Sequence, residues 1–272
     1  MTFPTIVTFW HGPMSWLELL CARSFVRQGH AVEIYAFDPI ANLPDGVTWR
    51  DAREILPQDQ LVFYKGRGTP AVFSDRFRIG LLQAGRGIWA DLDVFCLKPL
   101  ANPPDYLMGW EREGSVNSAV LLVPAGSELL ERLASVFAET RRPLLEAHLP
   151  IGRRLEVAAR RLIGQKVPPE YMQYGATGPF ALTHFVRTLG LTEQVQPREV
   201  FYPVRYEQIP LLMQPGSRLE PFVTPQTLAV HIWRSQITNR GRAAMPVPEA
   251  DSALALLCAE LEIDPTAPVQ TP

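Results

Sequence analysis

The chain has 272 residues, with 26 lysines and arginines against 28 aspartates and glutamates, and a formal charge of −2. That length suits one large domain or two small ones with room for a buried core, and the near balance of charge excludes a global pull toward nucleic acid. No apolar run approaches the ~20 residues needed to cross a bilayer, and no charged-then-apolar leader precedes the first strand-like segment. The three cysteines, Cys21, Cys96 and Cys258, lie in apolar contexts with no pairing or metal-type spacing. They read as buried thiols in a reducing, cytoplasmic compartment.

Residues 5–10 (TIVTFW) read as a short strand that ends in His11-Gly12-Pro13. Residues 15–28 put Leu17, Leu20, Cys21 and Phe25 on one helical face, with Gly29 as the stop. Residues 31–37 (AVEIYAF) alternate as a second strand, closed by Asp38-Pro39. A strand, a helix and a strand with short links make a βαβ unit, which implies parallel strands wrapped by helices in a Rossmann-like α/β sheet. Ligands of such sheets sit beyond the carboxyl ends of the strands. Trp10, His11 and Gly12 are therefore a candidate floor for a nucleotide base, although a plain strand-to-helix turn has the same pattern. Residues 39–72, with Pro39, Pro44, Pro57, Gly66, Gly68 and Pro70, read as loop.

The segment 73–100, FSDRFRIGLLQAGRGIWADLDVFCLKPL, carries the chemistry. Asp75 and Arg78 stand at i, i+3 on one helix face, as a surface ion pair or as part of a site. Asp91 and Asp93 follow the apolar run Gly87-Ile88-Trp89-Ala90. In an extended strand, residues two apart project to one side, so both carboxylates would face one region where the strand runs out. Two such groups repel unless something positive lies between them. Oxygen donors suit Mg2+ or Mn2+ rather than zinc, and an ion with few protein ligands keeps positions open for diphosphate oxygens. An isolated D-x-D is commonly a solvated strand end; the residues around this one give it more weight.

The order Ser74-Asp75-x-x-Arg78, Leu81-x-x-x-Gly85, Gly87-Ile88-Trp89-x-Asp91-x-Asp93 resembles the DXD-motif glycosyltransferases. That family includes the yeast initiating α-1,6-mannosyltransferase, α-1,4-galactosyltransferases and bacterial capsule and lipopolysaccharide transferases, with the clostridial glucosylating toxins more distant. The resemblance implies a GT-A-like fold, a nucleotide-sugar donor (a UDP-sugar in preference to GDP-mannose), a Mn2+ or Mg2+ ion and retention of anomeric configuration. By position, Asp75 and Arg78 would contact sugar and ribose hydroxyls. Asp91 would bind ribose or sugar and reach the ion, and Asp93 would be a direct ligand. Trp89 stands where the family usually has tyrosine. Arg86 replaces the first of two usual glycines, which argues against a very tight backbone approach at that turn.

Farther along, 106–110 and 116–123 (VNSAVLLV) read as strands, and Asn117 matches a family asparagine whose amide contacts the donor sugar; an asparagine capping a turn would look alike. Residues 127–139 form an amphipathic helix with Leu129, Leu130, Leu133, Val136 and Phe137 on its core face. Residues 141–166 hold Arg141, Arg142, Arg153, Arg154, Arg160, Arg161 and Lys166 against Glu146 and Glu156, interleaved with leucines and isoleucines. This segment reads either as a peripheral membrane contact or lip for an anionic, lipid-linked acceptor, or as a solvated helical hairpin with arginine stems over the core. It belongs to a helical insertion, about 127–170, in a single domain spanning 1–245.

Thr177-Gly178-Pro179 matches a family turn near the catalytic cleft, and Phe201-Tyr202-Pro203 resembles the family's strand toward the end of the fold. In 229–235 (AVHIWRS), His231 and Trp233 fall on the same side of a short strand. In the family such a His-x-Trp closes over the donor, and the histidine can complete the metal shell; a histidine satisfied in the core is the plainer reading. Residues 246–272 form a proline-rich tail with one short helix, 250–261.

The resemblance thus implies a retaining, metal-dependent transfer of a hexose to a hydroxyl of a glycan, lipid-linked or other acceptor. Two alternatives stand beside it. One is a non-catalytic nucleotide-sugar-binding protein. The other is a phosphohydrolase of the haloacid-dehalogenase type, which also has an apolar strand before D-x-D. Against the latter, no Gly-Asp-x-x-x-Asp cluster follows Asp93, and Phe95 stands where threonine or valine is usual.

Overall fold

The structure, a computed structural model, describes residues 3–64, 68–137, 147–165, 167–239 and 244–269. Its centre is a six-stranded sheet in the order β3-β2-β1-β4-β7-β6. The strands are β1 (Ile6–Phe9), β2 (Val32–Ala36), β3 (Val47–Asp51), β4 (Ile88–Ala90), β6 (Leu107–Arg112) and β7 (Ser115–Leu122). β1 to β4 run parallel, and β7 runs against both β4 and β6. β5 (Val94–Cys96) pairs antiparallel with β8 (Ala229–His231) as a separate small ribbon. This mixed, mostly parallel sheet between helices is the Rossmann-like, GT-A-like class expected from the sequence.

Strand alternation divides the core between the two faces of the sheet. Ile6, Ile88 and Ala90 point into one cluster with Leu17, Leu20, Cys21 and Phe25 of α1 (Trp16–Arg27). Val7, Phe9 and Trp89 point into the other, with Phe73 and Phe77 of α2 (Ala71–Gln83), Leu129 and Leu133 of α3 (Glu128–Ser135) and Leu182 of α5 (Pro179–Thr188). Each such fully buried leucine or phenylalanine contributes ~1.5–3 kcal/mol in transfer free energy. α8 (Ala253–Glu260) adds Leu254 and Cys258 to the α1 side, and Trp16 Nε1 donates to the carbonyl of Pro246 at 2.9 Å. Pro246 and α8 thus pack on the α1 side. α4 (Ile151–Leu162) stands on a small cluster of its own, in which Val157 meets Leu149, Met172 and Ala176. No helix among the described residues is long and apolar enough to cross a membrane.

Several local expectations are corrected. Residues 39–72 hold β3, a half-exposed edge strand in which Val47 and Trp49 alternate with Thr48 and Arg50 over only five residues, inside a stretch rich in proline and glycine. Phe201 ends α6 (Arg198–Phe201), a single helical turn, so the expected strand at 201–203 is absent. Gly87 makes the tight approach that Arg86 seemed to argue against. Its φ is +148°, and a Cβ there would lie 2.2 Å from the carbonyl oxygen of Thr5. The second glycine alone suffices.

Candidate active site

Asp75 and Arg78 are one turn apart on α2 and both are buried, so theirs is no surface ion pair. The Arg78 fork bridges three elements. Nη1 donates to Asp75 Oδ1 at 2.7 Å and to Ser118 Oγ on β7 at 2.9 Å, while Nη2 donates to Asp91 Oδ1 at 2.8 Å. The guanidinium lies 4.6 Å from the Trp89 ring centre, and Trp89 Nε1 donates to the same Asp91 oxygen at 2.6 Å. Thr177 donates its hydroxyl proton to Asp75 Oδ2 at 2.6 Å. Gly178 follows because nothing larger fits: a Cβ would sit 2.7 Å from Asp75 Oδ1. Removing a lone ion from water costs several kcal/mol; a cation clamped between two carboxylates, each further hydrogen-bonded, offsets much of that.

The D-x-D pair lies in the turn from β4 to β5 and not in the strand. Val94 N–H donates to the Asp91 carbonyl at 3.0 Å to close that turn. The carboxylates still converge, through chain reversal instead of strand alternation. β8 pairs with β5 so that His231 stands opposite Val94, which puts Nε2 of His231 3.1 Å from Asp93 Oδ1. The strand stops there. Trp233 adopts a left-handed conformation, φ +46°, at the head of α7 (Arg234–Ile237). That turn sends the Arg234 N–H back to Asp93 Oδ2 at 2.8 Å and lays the indole on the His231 ring, with centroids 4.3 Å apart. His231 and Trp233 thus meet by stacking across a turn, where alternation along one strand was expected.

One ligand atom from each of Asp91, Asp93 and His231 lies within 4.8 Å of the other two. Among the described residues, the hydrogen bonds that the Asp91 carboxylate accepts all reach Oδ1, which leaves Oδ2 open. Two carboxylates and an imidazole whose buried Nδ1 has no hydrogen-bond partner among the described residues form a donor set that fits Mn2+ or Mg2+, the former better because of the nitrogen. The charges are tuned apart. Burial pushes the Asp91 carboxyl up, and the charge of Asp93 adds to it against Arg78. Burial would raise Asp93 as well, but His231 and the Arg234 N–H hold it below the usual carboxylate range. Burial likewise pushes Asp75 up, against the pull of Arg78 and Thr177.

The other predicted residues lie along the same carboxyl edge. Trp10, His11 and Gly12 line a cleft of about 100 Å³ between the ends of β1 and β2, together with Phe37, Asp38 and Ile40. Trp10 Nε1 is buried there without a hydrogen bond among the described residues. A wider groove of about 450 Å³ on the outer side of α3 is lined by Glu128 and Arg132, an ordinary exposed ion pair; the smaller cleft is the one beside the chemistry. Asn117, the third residue of β7, donates to Glu111 Oε2 at 2.9 Å and accepts from Ala119 N–H at 2.8 Å. Arg141, Arg142, Glu146 and Lys166 lie outside the described residues.

Four residues escaped the sequence reading: Ser118, Glu111, Arg234 and Glu18. Glu18 has no solvent exposure. It accepts from the Ser15 N–H at 2.7 Å, from the Ser15 hydroxyl at 2.5 Å and from Arg234 Nε at 2.8 Å. Its legible signal was Ser15-x-x-Glu18 ahead of an apolar helix, a capping-box pattern. Ser118 and Arg234 act through partners far away in sequence and leave no local mark, and Glu111 meets Asn117 only across the β6–β7 hairpin.

No protein-family model matches the chain, and no curated protein is similar to it in sequence. Among solved structures it is similar to one titled PaToxG Glycosyltransferase, at 14% identity and a TM-score of 0.44, over 71% of this chain and 73% of that one. The chemistry of the site rests on its own residues.

Proposed function

We propose that the chain is a retaining, metal-dependent glycosyltransferase that acts in the cytoplasm as a single GT-A-like domain. It would move a hexose from a nucleotide sugar, a UDP-sugar before GDP-mannose, to a hydroxyl of a glycan, lipid-linked or other acceptor. The observation that carries this reading is the convergence of Asp91, Asp93 and His231 beside a cleft at the carboxyl edge of parallel strands. A divalent cation held by these three would supply Lewis-acid neutralisation of the charge that builds on a departing diphosphate.

The chain's own groups do the rest. Arg78 and Trp89 fix Oδ1 of Asp91 and so aim Oδ2 into the site. Thr177 and Arg78 orient Asp75 toward donor hydroxyls. Trp10, His11 and Gly12 receive the base, Asn117 offers its amide to the sugar, and Trp233 covers the donor. With retention, the acceptor attacks the face that the leaving group vacates, and the departing phosphate takes its proton.

One observation favours a second outcome. Glu111 is held by Asn117 Nδ2 at 2.9 Å on the same edge; as a general base it would give inversion. Thermal unfolding with UDP- and GDP-sugars, each with and without Mn2+, tests the donor reading, because a ligand of the native state raises its melting temperature. A rise that requires both metal and one nucleotide sugar is expected. No shift with any pair, together with no transfer or donor hydrolysis, would sink it. The anomeric proton coupling of the product decides between retention and Glu111.

A further inference from the structure

Two arginines hold the carboxylates of the site, and they are used in opposite ways. Arg78 is buried, and its fork is occupied by Asp75, Ser118 and Asp91. Arg234 is only half committed. Its backbone N–H holds Asp93 Oδ2, and its side-chain Nε donates to Glu18 Oε1 at 2.8 Å. Its side chain is nevertheless 38% exposed, whereas that of Glu18 is 0% exposed. A carboxylate so buried needs its cation, and Glu18 takes it through Nε alone, which fixes the guanidinium plane. Among the described residues, neither Nη of Arg234 has a hydrogen-bond partner, and neither is sealed from solvent. The edge between them carries parallel N–H groups, the arrangement that grips a phosphate with two hydrogen bonds.

We propose that Arg234 clamps the diphosphate of the donor through this free edge, while Glu18 holds the guanidinium in place. The inference deepens the transferase reading and rests on it. The hydrogen bonds trace the path from one end of the donor to the other. At one end, Asp93 belongs to the group with Asp91 and His231 that fits a cation, and it accepts from the Arg234 N–H. At the other, Glu18 Oε2 accepts from the Ser15 N–H at 2.7 Å, and Ser15 follows Met14, which lines the cleft with Trp10, His11 and Gly12. Arg234 therefore stands between the cation group and the cleft. Two linked phosphates must lie there if an ion grips one end of the donor and the cleft receives the base. Among the described residues, no lysine and no arginine besides Arg78 and Arg234 bonds to Asp91, Asp93 or Glu18. A pair that only tied the end of β8 to α1 could be made by lysine as well; a fork is what lysine lacks.

Calorimetric titration of the full chain in Mn2+ with UDP, UMP, GDP and GMP tests the clamp. The diphosphate of one base is expected to bind more tightly than its monophosphate. Arg234→Lys keeps a cation for Glu18 and the backbone N–H for Asp93, but it has no fork to offer. It should weaken the diphosphate by about tenfold or more while Mn2+ alone and the monophosphate stay within about twofold of wild type. The double variant Glu18→Gln, Arg234→Met removes both charges together and leaves no buried ion unpaired. It should show the same selective loss, with thermal unfolding of the unliganded chain near that of wild type. Diphosphate binding that both variants leave unchanged overturns the clamp and leaves the donor reading standing. So does an equal loss for diphosphate and monophosphate, or a loss of Mn2+ binding, because the substitution would then act through Asp93. Binding of neither diphosphate by the wild-type chain sinks the donor reading, and the clamp with it.

Discussion

The cleft and α4 break the usual partition of residues in opposite directions. The cleft hides charge: Asp75, Arg78, Glu18 and His231 are buried. α4 shows hydrocarbon: Ile151, Leu155 and Leu162, a stripe along the helix, are more than half exposed. Polar groups inside must find partners, and apolar groups outside normally find none. The first kind of exception stabilises itself through internal hydrogen bonds. The second finds no cover among the described residues.

The comparison can be broken at several points. Asp93→Asn keeps the size of the side chain but loses the charge and one acceptor, and transfer is expected to fall by about a thousandfold or more with the fold intact. Full activity in a folded variant, by circular dichroism and transfer assay, would remove Asp93 from the chemistry. Arg78→Ala leaves Asp75 and Asp91 facing each other without their cation, and unfolding in urea should show a loss of about 3–5 kcal/mol. A loss under about 1 kcal/mol would mean that the carboxylates are satisfied in another way. Gly178→Ala drives a methyl into the Asp75 carboxylate, for an expected ~1–3 kcal/mol. Leu162→Glu on α4 should stay within about 0.5 kcal/mol of wild type, because nothing in the described chain covers the side chain; a larger loss would show the stripe to be packed.

The smallest effect lies in neither region. His30 Nδ1 meets the Pro4 carbonyl at 2.8 Å, and Nε2 accepts from Leu100 N–H at 2.9 Å, so the ring is held neutral. Burial lowers its pKa from the ordinary histidine value. Its contribution is therefore complete above about pH 6.5 and is lost as the pH falls below that. His30→Gln should flatten the dependence of melting temperature on pH between about 5 and 7; parallel curves would show that another group is responsible.

The legibility of these features follows their range. The βαβ start was readable because short links and periodicity are local, and the D-x-D pair because its spacing is. That Asp91 and Asp93 sit in a turn was not readable, since three residues of β4 and three of β5 are too short to show where pairing ends. β3 stayed hidden because its alternation, Val47-Thr48-Trp49-Arg50, is short and lies among prolines and glycines that read as loop. Thr177 and Gly178 were found only through the resemblance, for their contact with Asp75 spans more than a hundred residues. For α4 the stripe was visible and its direction was not: periodicity says which residues share a face, never which way that face looks.

The thread from Glu18 through Arg234 to Asp93 joins helix α1 to a turn near the far end of the chain. During synthesis the first strands emerge and can pair early. Asp93 and Glu18 must wait for Arg234, without which one lacks a donor and the other is a sealed, uncompensated charge. The site would then be the last part of the molecule to mature, and a nascent chain halted before residue 234 would have a sheet but no working centre.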